Sequence, residues 1–242
     1  MKNKIKLPTV TLFAASSVEI DHAQDSLKIS SYEIEFASIK FLTSKKPKIN
    51  FPEIEYIEIP EIDINGYNKI IINDLHKYFD TSHCLIVQSD SFVVNPNEWT
   101  NEFLKYDYIG APWTKTINPK KNLQIDLKKN RVGNGGFSLR SKKLAVATKD
   151  INLSELKLPL ITEDVVMCHY LYENLIKKDI SFAPIELASK FSIEHIETNK
   201  EFGIGSENVF GFHGKHLRKY FKDRFNKKKL LNDLKKLINT YA

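Results

Sequence analysis

Cys84 to Val87 (CLIV) is an unbroken apolar run that stops abruptly at Gln88-Ser89-Asp90. A strand with one wet face alternates apolar and polar residues, whereas a continuous run belongs to a strand covered on both faces. That requirement brings helices to both sides of a mainly parallel sheet, because parallel strands need long crossover connections. The rest of the chain keeps to this scheme. Val10–Ala15 (VTLFAA) reads as a first buried strand, Asp21–Ser30 as a helix, and Glu33–Leu42 as a segment ending in a second strand, IKFLT. Tyr56–Ile59 reads as a short third strand closed by Pro60. Ile70, Ile71, Leu75 and Phe79 give Tyr67–Phe79 helical spacing. Asn95-Pro96 suits the start of a helix running to about Lys105. Strands are expected at Tyr108–Ala111 and Phe137–Leu139, a helix at Glu163–Ile176 and a strand-like piece at Ser181–Pro184. Asn118–Arg131 is Lys-rich and weakly periodic and reads as a mobile loop or lid. In such sheets ligands sit beyond the carboxyl ends of the strands.

At 242 residues and 42% hydrophobic content, the chain suits one large α/β domain with a substantial core. Its apolar runs are too short to span a membrane, and Met1–Pro8 lacks the apolar stretch of a secretion signal. Cys84 and Cys168 fall in apolar segments and read as reduced, buried thiols, so a cytoplasmic location is expected. The net charge of +6 is uneven: from Lys215 onward ten Lys or Arg face two Asp, a net +8, which leaves the remainder at −2. A near-neutral body argues against a protein built on nucleic acid. Two segments are therefore expected: a catalytic domain over 1–214 and a basic tail over 215–242, with an amphipathic helix at Lys222–Tyr241. That helix suits packing on the domain or on a second subunit, and equally a peripheral contact with anionic lipid at the inner membrane face.

Four clusters carry candidate chemistry, each beside a structural role. Asp90, directly after the apolar strand, is placed to hold a hard divalent cation, and equally to form a turn. Gly135 and Gly136 in Val132–Arg140 (VGNGGFSLR) allow close approach of a ligand, and equally a bulged turn. Glu163 and Asp164 after Thr162 suit the first turn of a capped helix, and equally a general base. His213 in Phe210–Lys215 (FGFHGK) suits a metal ligand, with Lys215 for phosphate, and equally a structural histidine.

Taken in order, QSDSFVVNPNEW, YDYIGAPW, VGNGGFSLRS, TEDVVMCHYL, SFAPIELASKFSIE and FGFHG resemble a bacterial and viral family of uncharacterised domains placed among the GT-A glycosyltransferases. The NGGFSLRS and EDV blocks are more distantly similar to the fringe-like and β-1,3-galactosyltransferase group. The resemblance implies a GT-A-like, Rossmann-like sheet flanked by helices, and a hexosyltransferase. Its donor would be a nucleotide sugar, UDP-linked by preference, and its acceptor a glycan, a lipid-linked oligosaccharide or a protein, as in polysaccharide biosynthesis. It implies that Asp90 and His213 bind Mn²⁺ or Mg²⁺, that Asp164 is the base of an inverting displacement, and that Glu163 holds a hydroxyl. Ala14, Ala15 and Ser16 would face the nucleobase, Gly135 and Gly136 would line the sugar pocket, and Trp113 would stack on a sugar.

The sequence departs from the family's Asp-x-Asp pattern at Ser89-Asp90-Ser91, where one acid stands instead of two or three. That departure keeps a metal-independent variant open, with Lys215, Lys120 and Lys121 neutralising phosphate. A non-catalytic nucleotide- or sugar-binding module and a nucleotidyltransferase are the rival classes. The latter normally carries a Gly-rich basic loop where this chain has Ala14-Ala15-Ser16-Ser17.

Overall fold

A computed structural model describes residues 4–159, 162–205 and 208–217. The helix expected at Lys222–Tyr241 lies outside these residues. The apolar runs become the strands of one sheet: β1 (Ile5–Ser16), β2 (Ile34–Thr43), β3 (Glu55–Glu58) and β4 (His83–Val87) are parallel neighbours. All five residues of β4 are buried, His83 with the four of the unbroken apolar run. Helix α1 (Ile20–Ser30) crosses from β1 to β2. Helix α2 (Ile64–Lys69) begins at Asp63, whose Oδ1 accepts the Gly66 N–H at 2.8 Å. It continues through a π turn at Ile70–Asp74 and a tight turn at Leu75–Lys77 before β4.

Beyond β4 come β5 (Ser91–Val93), β6 (Tyr108–Gly110), the pair β7 (Thr116–Lys120) and β8 (Leu123–Asp126), and then β9 (Phe137–Ser141). The main sheet runs β3-β2-β1-β4-β9-β6, with β9 antiparallel to both neighbours and the other five strands aligned. This is the mainly parallel α/β arrangement expected. The chain leaves β1 outward to β2 and β3, then returns to β4 on the other side of β1. The carboxyl ends of β1 and β4 therefore flank the switch point at which open sheets bind ligands.

A smaller three-stranded sheet, β10 (Ser192–Ile193), β11 (Gly211–His213) and β5, packs against the main one. An aromatic cluster joins the two: the Phe137 ring of β9 lies 5.3 Å from Phe191 and 5.8 Å from Phe210. Trp99 lies 5.2 Å from Phe210, and such pairs contribute about 0.5–1.5 kcal/mol each beyond their area. That inward turn of Trp99 overrides the helix expected over 95–105. Pro96–Glu98 and Asn101–Lys105 are separate short turns, with extended backbone at Trp99 and Thr100 between them. The Lys-rich segment read as a loop is a β7–β8 hairpin, with Ile117 paired to Ile125. The helix expected over 163–176 is α4 (Glu163–Val165), a π turn at Val166–Tyr170 and a second helix at Tyr172–Ile176. Helix α3 (Lys142–Ala147) was not expected; Ser141 caps it, accepting the Leu144 N–H at 2.9 Å.

Candidate active site

Two cavities open at this end of the sheet. The first, of about 280 Å³, is lined after β1 by Ala15, Ser16, Ser17 and Val18, and after β4 by Gln88 and Ser89, with Asp63 and Tyr67 opposite. Ala15 and Ser16 thus line a cleft at the switch point, while Ala14 is buried behind it. Gln88 Nε2 donates to the Tyr67 hydroxyl at 2.8 Å. The second cavity, of about 460 Å³, is bounded by Trp113, Asn118, Pro119, Asp164, Glu194 and His195, so the β7–β8 hairpin forms one of its walls. Trp113 lines it with 4% of its surface exposed.

Asp90 follows Ser89 of the first cavity and His213 stands beside Glu194 of the second, and the smaller sheet explains why the two meet. In the β11–β5 register His213 stands opposite Ser91, one residue from Asp90. The Gly214 N–H donates to the Asp90 carbonyl at 3.1 Å and closes the corner. His213 Nε2 lies 3.4 Å from Asp90 Oδ1, and Nδ1 lies 3.5 Å from Glu194 Oε1. Asn134 Nδ2 also approaches Nδ1, at 2.8 Å. Burial alone would depress the imidazole, but hydrogen bonding to Asp90 and Glu194 outweighs it and holds the pKa up at about 10. Burial would likewise raise Glu194, yet His213 keeps its carboxylate below the usual range.

A histidine whose folded value exceeds its unfolded value of about 6.5 stabilises the fold fully below that pH, and the contribution is lost as pH rises toward 10. Urea unfolding is therefore expected to show stability falling between about pH 6.5 and 10, by on the order of 3–5 kcal/mol from this group. The His213→Gln variant should lose most of that slope. An unchanged slope would show that His213 does not cause it.

The adjacent glycines are where the sites touch. A Cβ on Gly136 would lie 2.2 Å from the His213 ring, and one on Gly135 would lie 1.5 Å from Glu163 Oε1. Glycine at both positions is thus set by the side chains pressed on them. The Gly135 N–H also donates to Asp164 Oδ2 at 3.2 Å, while Asp164 Oδ1 accepts the Val165 N–H at 2.8 Å. Asp164 therefore stands in the second cavity with its carboxylate oriented by backbone amides. Glu163, its neighbour, points the other way. It is 4% exposed and is bound at 2.5 Å by Arg140 of β9, itself 1% exposed. Its backbone N–H donates to Asn68 Oδ1 at 3.0 Å. Burial pushes the Glu163 carboxyl up, to about 7, against the pull of Arg140. Glu163 thus faces Arg140 and Gly135, in a buried ion pair.

At the mouth of the first cavity Lys215 Nζ bonds Glu19 Oε1 at 2.8 Å, and Ser89 Oγ donates to Glu19 Oε2 at 2.6 Å. Those bonds from Lys215 and Ser89 hold the Glu19 carboxyl below its usual value. Lys120 lies on β7, where its Nζ reaches the Pro159 carbonyl at 3.4 Å, and Lys121 is in the exposed hairpin turn.

Sequence reasoning passed over Glu194, Arg140, Asn68 and Glu19. Glu194 had a signal in principle: β10 pairs with β11 in parallel, Ser192 to Gly211 and Ile193 to Phe212. One further step places Glu194 beside His213. The pairing of such short strands is not visible in composition or period.

A divalent cation would set its own geometric demand on this site. Adjacent ligands of an octahedral Mg²⁺ stand about 3.0 Å apart, given bonds of about 2.1 Å. The 3.4 Å between Asp90 Oδ1 and His213 Nε2 fits two such ligands after a small movement. Glu194 lies on the other side of the ring. Among the described residues no three His, Cys, Asp or Glu gather as a ligand set. The protein thus offers a pair, and further ligands would have to come from water or a bound phosphate.

This strand order, switch-point cleft and flanking helices make a GT-A-like α/β fold. The chain belongs to the family described as "Protein of unknown function (DUF5672)", whose match covers residues 50–213. The glycosyltransferase GlyE of Streptococcus pneumoniae TIGR4 superposes in its apo form with a TM-score of 0.50, over 93% of this chain at 15% identity. A second GlyE structure gives 0.51 over 96% at 14% identity. This chain spans 62% and 63% of those two chains, so the likeness is one of fold. A mannosyltransferase of Pyrobaculum calidifontis, PcManGT, solved with GDP-Man and Mn²⁺, matches 44% of this chain and 36% of its own at 9% identity. Its TM-score of 0.31 is too low to bear on this chain's donor or metal. No curated protein matches the chain in sequence. No helix among the described residues is long and apolar enough to cross a membrane.

Proposed function

We propose that the chain is a glycosyltransferase that moves a hexose from a nucleotide sugar to a hydroxyl of a glycan, lipid-linked or protein acceptor, with inversion. UDP is the first donor nucleotide to test. The observation that carries this reading is the joining of two cavities through one cluster: Ser89 lines the first, Asp90 follows it and meets His213, and Asp164 and Glu194 line the second. The nucleoside would sit in the switch-point cleft beside Ala15 and Ser16, and the acceptor in the cavity walled by the β7–β8 hairpin. Asp164 would accept the hydroxyl proton as the oxygen attacks the anomeric carbon and the carbon–oxygen bond to the diphosphate breaks. Its two backbone hydrogen bonds support that role by fixing its direction before substrate arrives.

Charge supports a cation at Asp90 and His213. Asp90, Glu194 and Asp164 outnumber the imidazolium of His213, while Arg140 and Glu163 pair with each other and Lys215 is engaged with Glu19. Such a pocket repels a diphosphate that arrives without Mn²⁺ or Mg²⁺. When bound, the cation would neutralise charge on the leaving diphosphate. Glu163 fits a supporting role better than contact with a hydroxyl, since it is enclosed with Arg140. Trp113 fits a wall under a sugar ring. The setting that suits these chemistries is the cytoplasmic face of a membrane, with the basic tail as a peripheral contact.

A thermal-shift series with UDP, GDP, CDP and dTDP, each with and without Mn²⁺, tests this. A ligand at 100 times its Kd stabilises the folded state by about 2.7 kcal/mol, a shift of several degrees. One nucleotide is expected to raise Tm, and more so with Mn²⁺. A shift that ignores Mn²⁺ would remove the cation and favour lysine neutralisation. No shift with any of the four would defeat the transferase reading.

A further inference from the structure

We propose that Glu194 is a positioning residue: it orients the imidazole of His213 so that Nε2 is presented to Asp90 and to a cation shared between them. The inference rests on the reading of Asp90 and His213 given above, and adds to it a residue that neither the fold nor the family assigns. The ring nitrogens face opposite ways, Nε2 toward Asp90 at 3.4 Å and Nδ1 toward Glu194 at 3.5 Å. An imidazole can give a lone pair to a cation only from the nitrogen that carries no proton. A carboxylate accepts hydrogen bonds and never donates them, so on the Nδ1 side it holds a proton there, and Nε2, whose proton faces Asp90, is the nitrogen that would give up its proton to a cation.

Glu194 is held in place for this. It extends the parallel β10–β11 register by one residue, and its side chain is 19% exposed, as is that of His213. Its Oε2 lies 3.5 Å from His195 Nε2, and its carbonyl pairs with His216 Nε2 at 3.0 Å. Asn134 competes for the same ring nitrogen, with Nδ2 at 2.8 Å from Nδ1. A donating amide there would leave the proton on Nε2, the wrong side for a cation. Glu194 brings a full charge to the contest and Asn134 a dipole, which decides the tautomer in favour of Glu194.

Direct titration with Mn²⁺, followed by loss of the free-ion electron paramagnetic resonance signal, tests the inference without reference to turnover. It is run in the presence of whichever of the four nucleoside diphosphates gives the largest thermal shift. Glu194→Gln keeps length and removes charge; Glu194→Asp keeps charge and shortens reach. Mn²⁺ affinity is expected to fall about 10–100-fold in Glu194→Gln and by less in Glu194→Asp. A role in packing alone would reverse that order, because Gln matches Glu in size. Equal affinity in Glu194→Gln and the parent would overturn the inference and leave the cation in place. If Glu194→Gln fails to fold, affinity in Glu194→Asp equal to or more than 100-fold below the parent's overturns the inference, and an intermediate loss supports it. Failure of the parent to bind Mn²⁺ under any of these conditions would overturn both the cation and the inference.

Discussion

The Asp164→Asn variant is expected to turn over about 10²–10⁴-fold more slowly than the parent while binding nucleoside diphosphate within about twofold. Two cavities are involved: Asp164 lines the one walled by the β7–β8 hairpin, and the cleft proposed for the nucleotide is the other, lined by Ala15, Ser16 and Ser89. A change confined to the base lowers kcat and leaves donor affinity in place. The substitution also has a local cost. Both carboxylate oxygens accept backbone N–H groups, from Gly135 and Val165, so an amide must set its NH₂ against one of them whichever way it turns. That mismatch costs about 1 kcal/mol of stability, small enough to leave a folded protein to assay. Release of nucleoside diphosphate, measured beside calorimetric donor binding, checks both halves. Turnover within about threefold of the parent would remove Asp164 from the role of base. Loss of donor binding with turnover would place it in the nucleotide site.

The Arg140→Met variant is expected to lose about 3–5 kcal/mol of stability at neutral pH, since it leaves Glu163 buried without its cation. The cost has a direction in pH. Burial already holds the Glu163 carboxyl at about 7 in the folded protein, above its unfolded value near 4.3. A carboxyl raised in this way stabilises the fold fully below the unfolded value and loses that contribution as pH rises through the folded value. Arg140 is the group pulling Glu163 down, so its removal carries the folded value higher. The deficit of Arg140→Met against the parent should therefore be small near pH 4 and grow toward pH 8. The double variant Arg140→Met, Glu163→Gln should recover most of the loss, because a neutral pair has no charge to desolvate. Urea unfolding of the three proteins at both pH values tests this. A deficit that ignores pH, or a double variant no better than the single one, would show that packing around Arg140 is what stabilises.

The legible parts of this chain are those where one strand or helix declares itself. β4 was readable because the four successive apolar residues Cys84–Val87 leave no polar position, and Asp90 because it follows that run into a turn. α1 lies where a helix was expected, Ile20–Ser30 against Asp21–Ser30. The broken helices were not readable: at Trp99 and Leu171 a local helical pattern yields to packing or to a π turn, and neither signal is periodic. The direction of Glu163 was also hidden. Glu163 and Asp164 are equivalent as a sequence pair, and what separates them is Arg140, a charged residue inside a strand that the sequence offers no reason to expect buried. Glu194 was hidden for a topological reason, since strands of two and three residues recognise each other only through the pairing itself.

The six strands of the main sheet all lie between Ile5 and Ser141, whereas the short strands that bring Glu194 and His213 to Asp90 lie at 192–193 and 211–213. During synthesis from the N-terminus, the scaffold strands therefore leave the ribosome well before the residues that complete the cluster. Asp90 and Asp164 are already made by then, but they lack the histidine that would join them. Until residues 192–213 are made, the chain holds every strand of the main sheet and only part of the cluster. A frameshift or cleavage after the sheet would remove the residues that assemble this cluster, together with Phe191 and Phe210, which pack on Phe137 of β9.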